Sequence, residues 1–236
     1  MATFLLVAGG NLGGWVWAKV RPRLHARGHE VYTPTLTGLG ERAHLLSREI
    51  DLETHIQDVV AVLRDEDLRD VILVGHSYAG SVIAGVADRA PERLARLVYL
   101  DAVAPRDGES EFDLLPPRVS AWLAEQAKSR GEGWLIPPPS AGTLAREHDA
   151  ADAAWLAERM TAHPLRPCVE PLRLRGPAPA LPRTFISCTR GAFTSLAQRA
   201  RAEPGWRVCE LDAGHNAMVT APEALVRLLE EAANGG

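Results

Sequence analysis

Apolar runs alternate with amphipathic stretches along most of the chain. This alternation predicts an α/β fold with a mostly parallel central sheet flanked by helices. Strands are expected at Thr3 to Ala8, Glu30 to Pro34, Val71 to Val74, Leu94 to Leu100, Arg183 to Cys188 and Trp206 to Leu211. Helical spacing covers Gly14 to Ala26, where Pro22 is expected to introduce a bend. It returns from Leu52 to about Arg64, with Ile56, Val59, Val60 and Leu63 on one face behind the expected cap Asp51. Ala79, Val82, Ile83 and Val86 give the third strand a helix directly behind it. A final helix is announced by the capping-box pattern Thr220-x-x-Glu223 with Pro222 in its first turn. Leu225, Leu228, Leu229 and Ala232 form its apolar stripe.

One stretch breaks this rhythm. Residues 105–182 hold 12 of the 17 prolines, including Pro116-Pro117 and Pro137-Pro138-Pro139, together with Trp122, Trp134 and Trp155. Proline has no backbone N–H to give a sheet, so this segment does not extend the strand pattern. Short helical patterns fall near Arg118 to Lys128 and Asp149 to Met160. The organisation expected is a core made of residues 1–104 and 183–236, with 105–182 inserted as a cap over the mouth of a pocket. The three tryptophans are its candidate apolar contacts to a ligand. The plainer alternative is an inert excursion, although so aromatic a stretch does not read as disordered.

Composition narrows the function classes. A chain of 236 residues, 46% hydrophobic and 24% charged, can bury a core without metals or disulfides. Lysine plus arginine number 26 against 30 acidic residues, and no basic run is interleaved with aromatics, so nucleic acid is not an expected partner. No run approaches the roughly 18 apolar residues of a membrane span, and the start lacks a basic leader. A cytoplasmic protein is therefore expected, and a homodimer is left open. Cys168, Cys188 and Cys209 are an odd, scattered set that reads as reduced thiols; no metal or other cofactor is called for.

The chemistry concentrates at Val71 to Gly80, an apolar strand that runs through a small-residue turn into a helix with Ser77 at the apex. Such a turn is sharp, so small residues must flank the serine two positions to either side. Gly75 and Ala79 do so in a G-x-S-x-A arrangement. A serine at its free pKa needs a base. His215, just past the last strand and before the last helix, would share the sheet edge with Ser77. His76 lies inside the turn and points away from the serine, which suits packing. An oxyanion hole would take the N–H of Tyr78 and one from the loop after the first strand, where Gly10 is the candidate. The glycines there also suit a simple tight turn.

Taken together, Val7-Ala8-Gly9-Gly10-Asn11-Leu12-Gly13-Gly14-Trp15, the stretch Gly28 to Gly38, the serine turn and Gly214-His215 resemble the α/β-hydrolase superfamily. The likeness is to its small esterase, methylesterase and hydroxynitrile-lyase branch, and it covers the core while fading in the cap. The resemblance implies a serine hydrolase that cleaves a carboxylic ester or lactone of a small apolar substrate through an acyl-enzyme. The alternative is a hydrolase-fold protein without hydrolytic activity, acting as a cyclase or lyase on a natural product or as a ligand-binding protein. Family members carry His-Gly where this chain has Ala8-Gly9. Lyases of the branch carry threonine at the place of Gly9 and lysine at that of Asn216, and cyanohydrin cleavage is accordingly not expected. The family's aspartate is expected in the loop after the strand ending at Cys188, but Gly191 stands there. Asp101 is the best substitute, preserving the order Ser77, Asp101, His215, although an aspartate at a strand end also serves as a turn residue. Asp212 is a poorer candidate.

Overall fold

The computed structural model describes residues 1–177, 179–191 and 193–235. Strand β1 (Thr3–Val7) leads into a 3-10 segment (Gly14–Lys19) and then α1 (Arg21–Ala26). The helix expected over this stretch is thus divided. Pro22 cannot donate to the carbonyl one turn back, so it is accommodated only in the first turn of a new helix. The chain continues through β2 (Glu30–Tyr32), α2 (Leu52–Asp65), β3 (Val71–His76), α3 (Ala79–Arg89) and β4 (Leu94–Leu100). Asp51 caps α2, its carboxylate accepting the Thr54 N–H at 2.7 Å.

Between β4 and the next core strand lie α4 (Glu111–Leu114), α5 (Pro117–Arg130), β5 (Leu135–Ile136), α6 (Ala141–Leu144), α7 (Ala150–Arg159), β6 (His163–Pro164) and α8 (Arg166–Val169). The core resumes with β7 (Arg183–Cys188), α9 (Thr194–Ala202), β8 (Trp206–Leu211), α10 (Ala217–Thr220) and α11 (Pro222–Ala233). The capping box expected at Thr220 does not form. Thr220 belongs to the one-turn helix α10, and Ala221, without a side-chain cap bond, starts α11. Glu223 is drawn instead into ion pairs with Arg23 and Arg27.

The six core strands form one parallel sheet in the order β2-β1-β3-β4-β7-β8, while β5 and β6 pair antiparallel outside it. Alternate side chains feed two apolar layers. Leu5, Leu73, Leu97 and Phe185 face α2, α3 and α9, whereas Phe4, Leu6, Val74, Val98 and Ile186 face Trp17, Leu24 and α11. This order places a topological switch between β1 and β3, which pair in register from Thr3 with Val71 to Val7 with Gly75. Loops leaving neighbouring strands in opposite directions open a crevice at the carboxyl edge of such a sheet. The loop after β1 and the turn after β3 meet there. Among the described residues no helix is long and apolar enough to cross a membrane.

Candidate active site

The turn after β3 forces Ser77 into the left-handed region, with φ of 55°. A non-glycine residue persists there only when its surroundings hold it. Its N–H donates to the Leu100 carbonyl at 3.2 Å, and its own carbonyl accepts from Gly80 at 3.1 Å and Val103 at 3.2 Å. The tightness of the turn is set at Gly75, where a Cβ would stand 2.7 Å from the Ala79 carbonyl oxygen.

Three side chains converge at this edge. The Ser77 hydroxyl donates to His215 Nε2 at 3.0 Å, and His215 Nδ1–H donates to Asp101 Oδ2 at 2.7 Å. The network assigns this tautomer, since a carboxylate can only accept. Asp101 is fully buried and also adopts positive φ, 39°. Its N–H donates to the Ile186 carbonyl at 2.8 Å, and its Oδ1 accepts the Cys188 N–H at 3.3 Å. The carboxylate that meets His215 therefore leaves the end of β4, next to the strand that carries Ser77, and β7 supplies only backbone support. Gly191 explains the vacancy after β7. A Cβ at that position would lie 2.3 Å from Asp101 Oδ2, so a side chain at 191 would displace the carboxylate of Asp101 from its present place. Asp212 is directed away, pairing with Arg190 at the surface.

His215 is wedged between rings. His76 lies 4.5 Å from it centroid to centroid and Phe193 5.1 Å. His76 Nε2 bonds the His215 carbonyl at 3.0 Å, so it fixes the backbone of the base. Burial holds the His76 imidazole well below its ordinary pKa, and the bond to the carbonyl places the proton of the neutral ring on Nε2.

The N–H groups of Gly10 and Tyr78 have no acceptor among the described residues, and both residues line the cavity beside Ser77. Gly9 lets the loop come close, because a Cβ there would stand 2.8 Å from the Ser77 Cβ. A threonine at this position would strike the nucleophile. Asn11, which the sequence did not single out, fastens the same loop from outside. Its Nδ2 donates to the carbonyls of Ile136 at 3.0 Å and Thr161 at 2.8 Å. The Tyr78 ring is fixed in turn by its hydroxyl, which donates to His55 Nδ1 at 2.9 Å.

A cavity of about 310 Å³ opens on Ser77 and His215, walled mainly by Leu115, Val119, Trp122, Leu123 and Ile136 from the segment between β4 and β7. Of the three tryptophans expected to face a ligand, only Trp122 lines it. Trp134 lies under the Arg48 guanidinium, 4.8 Å from its ring. Trp155 packs edge-on against Trp15 at 5.0 Å, because the buried side of α7 is set by Ala153 and Leu156. These two tryptophans are structural contacts of the segment, and their expected place in the pocket is corrected. Polar residues occupy the wall instead: Glu111, His148 and His163, which the sequence did not single out, and Asn216. Asn216 Nδ2 donates to His148 Nε2 at 3.1 Å.

Burial pushes the Glu111 carboxyl up to about 7. A raised carboxyl pKa means that the folded chain keeps a proton the unfolded chain has released. The stability this group contributes is complete below the ordinary carboxyl pKa and is lost as pH rises through about 7. Glu111→Gln is therefore expected to exceed the parent in stability by up to ~3 kcal/mol at pH 8, with the gap closing toward pH 5. Denaturant titrations at the two pH values measure it; a gap independent of pH would remove this account.

Comparison with known proteins places these observations. The alpha/beta hydrolase family model matches residues 4–228. A carbendazim hydrolyzing esterase from Nocardioides sp. strain SG-4G is 39% identical over 243 residues, spanning 97% of this chain and 98% of that protein. An extracellular alpha/beta-hydrolase from a Paenibacillus species superimposes with a TM-score of 0.86 at 26% identity, over 98% of this chain and 99% of that one. A pyrethroid hydrolase from Sphingobium faniae JZ-2 does so with a TM-score of 0.80 at 25% identity, over 99% and 97%. Family match, full-length relative and sheet order agree, and the chain belongs to the alpha/beta hydrolase family, on its esterase branch.

Proposed function

We propose that this carboxylic ester hydrolase cleaves a small, largely apolar ester or lactone through an acyl-enzyme on Ser77. The observation that carries the reading is the unbroken chain of hydrogen bonds from Ser77 Oγ through His215 to the buried Asp101. Ser77 Oγ attacks the carbonyl carbon as its proton passes to His215 Nε2. Asp101 holds the ring and stabilises the imidazolium that forms. The N–H groups of Gly10 and Tyr78 receive the negative charge developing on the carbonyl oxygen. His215 then protonates the leaving alkoxide, and the same steps with water as nucleophile release the acid. Residues 105–182 act as the cap that gives the acyl and alcohol parts an apolar enclosure. The free thiols Cys168, Cys188 and Cys209 suit a reducing, cytoplasmic setting. The esterase relatives do not favour a non-hydrolytic cyclase, lyase or binding protein, and an activated serine is superfluous for binding alone.

A fluorophosphonate probe tests the reading, because it reacts only with an activated serine. One equivalent is expected on Ser77, detected by peptide mass spectrometry, with none on folded His215→Ala. Folded parent protein that stays unlabelled would sink the proposal.

A further inference from the structure

A second cavity, of about 290 Å³, lies on the α3 side of the sheet. Ala84 and Ala87 of α3 and Leu97 and Tyr99 of β4 form its apolar floor. Arg183 and Trp206, the paired first residues of β7 and β8, close one side. The catalytic side chains gather at the carboxyl ends of the strands instead, and the two cavities share no residue among those described.

This wall holds donors that the protein leaves unspent. Tyr99 is 3% exposed, and its hydroxyl has no hydrogen-bond partner among the described residues. Enclosing such a hydroxyl is costly unless the space beside it supplies a partner. Burial pushes the phenol pKa up, so the group stays protonated and can donate. The Arg183 guanidinium lies 4.6 Å from the Trp206 ring, which packs in turn against Tyr99 at 5.0 Å, and this stack holds the cation beside the hydroxyl. Arg183 Nη2 donates to the Pro204 carbonyl at 3.3 Å, but no ion pair neutralises the guanidinium among the described residues. The acids of the same wall are already engaged. Glu203 pairs with Arg106 and Arg199, and Asp107 accepts the Leu174 N–H at 2.9 Å. One uncompensated positive charge and one free hydroxyl therefore stand over aliphatic and aromatic surface, the form of a site that orients an apolar ligand by a few polar contacts.

We propose that this second cavity binds a small aromatic carboxylate, with its ring against Trp206 and Tyr99 and its carboxylate on Arg183 and the Tyr99 hydroxyl. The inference stands apart from the ester-hydrolase reading, since it uses none of the catalytic residues. A carboxylate matches the planar fork of guanidinium donors and takes charge-assisted hydrogen bonds from it. A cation would be repelled by Arg183. A wholly apolar ligand would leave the hydroxyl unsatisfied, and that penalty sets the preference.

Indole N–H resonances separate the two cavities, because Trp206 stands in the wall of this one and Trp122 in that of the catalytic one. Both signals are assigned in ¹H–¹⁵N spectra through Trp206→Phe and Trp122→Phe. Titration of the whole protein with 2-naphthoate is expected to shift the Trp206 signal along a saturable curve. The neutral isostere 2-naphthamide is expected to bind there about tenfold more weakly. Arg183→Leu should bring the two ligands to within about twofold of each other, and Tyr99→Phe, which removes only the hydroxyl, should weaken naphthoate about threefold. Arg183→Gln replaces the leucine variant if that one does not fold. A shift confined to Trp122, no saturable shift at Trp206, or a carboxylate preference that survives loss of the guanidinium overturns the proposal.

Discussion

Alanine at His215 is expected to lower ester turnover by about 10⁶-fold, alanine at Ser77 by as much, and both together by no more than either alone. The reason is geometric. One contact of 3.0 Å joins base and nucleophile, and removing either partner abolishes the same proton transfer. Donors at Gly10 and Tyr78 are untouched by both changes, so a residual acceleration of about 10³ over water is expected to survive. Turnover of a methyl ester by the parent, both single variants and the double variant measures the effect. Losses that multiply would mean that the two groups act independently, contrary to the proposed mechanism.

Asparagine at Asp101 is expected to reduce turnover by about 10⁴ while leaving the fold intact. An amide placed 2.7 Å from His215 Nδ1 can present its NH₂, which makes Nδ1 an acceptor and turns a protonated Nε2 toward Ser77. The base is then in the wrong tautomer. Gly191→Asp should be similarly damaging for a different reason: its Cβ falls within 2.3 Å of the carboxylate it would have to displace. Combining Gly191→Asp with Asp101→Gly removes that conflict, and glycine accepts the positive φ at 101 without strain. The pair is expected to recover at least about tenfold over Gly191→Asp alone. Full activity in Gly191→Asp would show that the acid does not need the space Gly191 leaves.

The fold was legible because its signals are local. The apolar strand runs and the Ser77 turn are written in consecutive residues, and the elements from β3 to β4 lie where the apolar pattern put them. His215 could be singled out because a strand end and a helix start frame it within a few positions. Asp101 ranks above Asp212 in the sequence only by chain order and its place at a strand end. What distinguishes them is the direction of the chain after β4 and β8, and a glycine distant in sequence that clears the space. Glu111 carried no signal at all, since an acid in the first turn of a short helix ordinarily caps that helix in water. Its burial is made by α5 together with α8, and α8 lies more than fifty residues further along the chain. The aromatic residues misled for the converse reason: tryptophan content marks apolar surface but not the side of the segment it faces, and α7 turned Trp155 toward Trp15.

The two bonds from Asn11 also bear on how the enzyme breathes. They run from the oxyanion loop to the carbonyls on either side of the β5–β6 ribbon, at 3.0 Å and 2.8 Å, and Thr161 returns a third bond to the Asn11 carbonyl at 3.0 Å. Lifting the ribbon to admit a substrate would break all three and unseat Gly10 from its station beside Ser77. The ribbon and the loop are therefore tied to one another. Trp122 of α5, half-exposed, lines the cavity from an element that carries none of these three bonds.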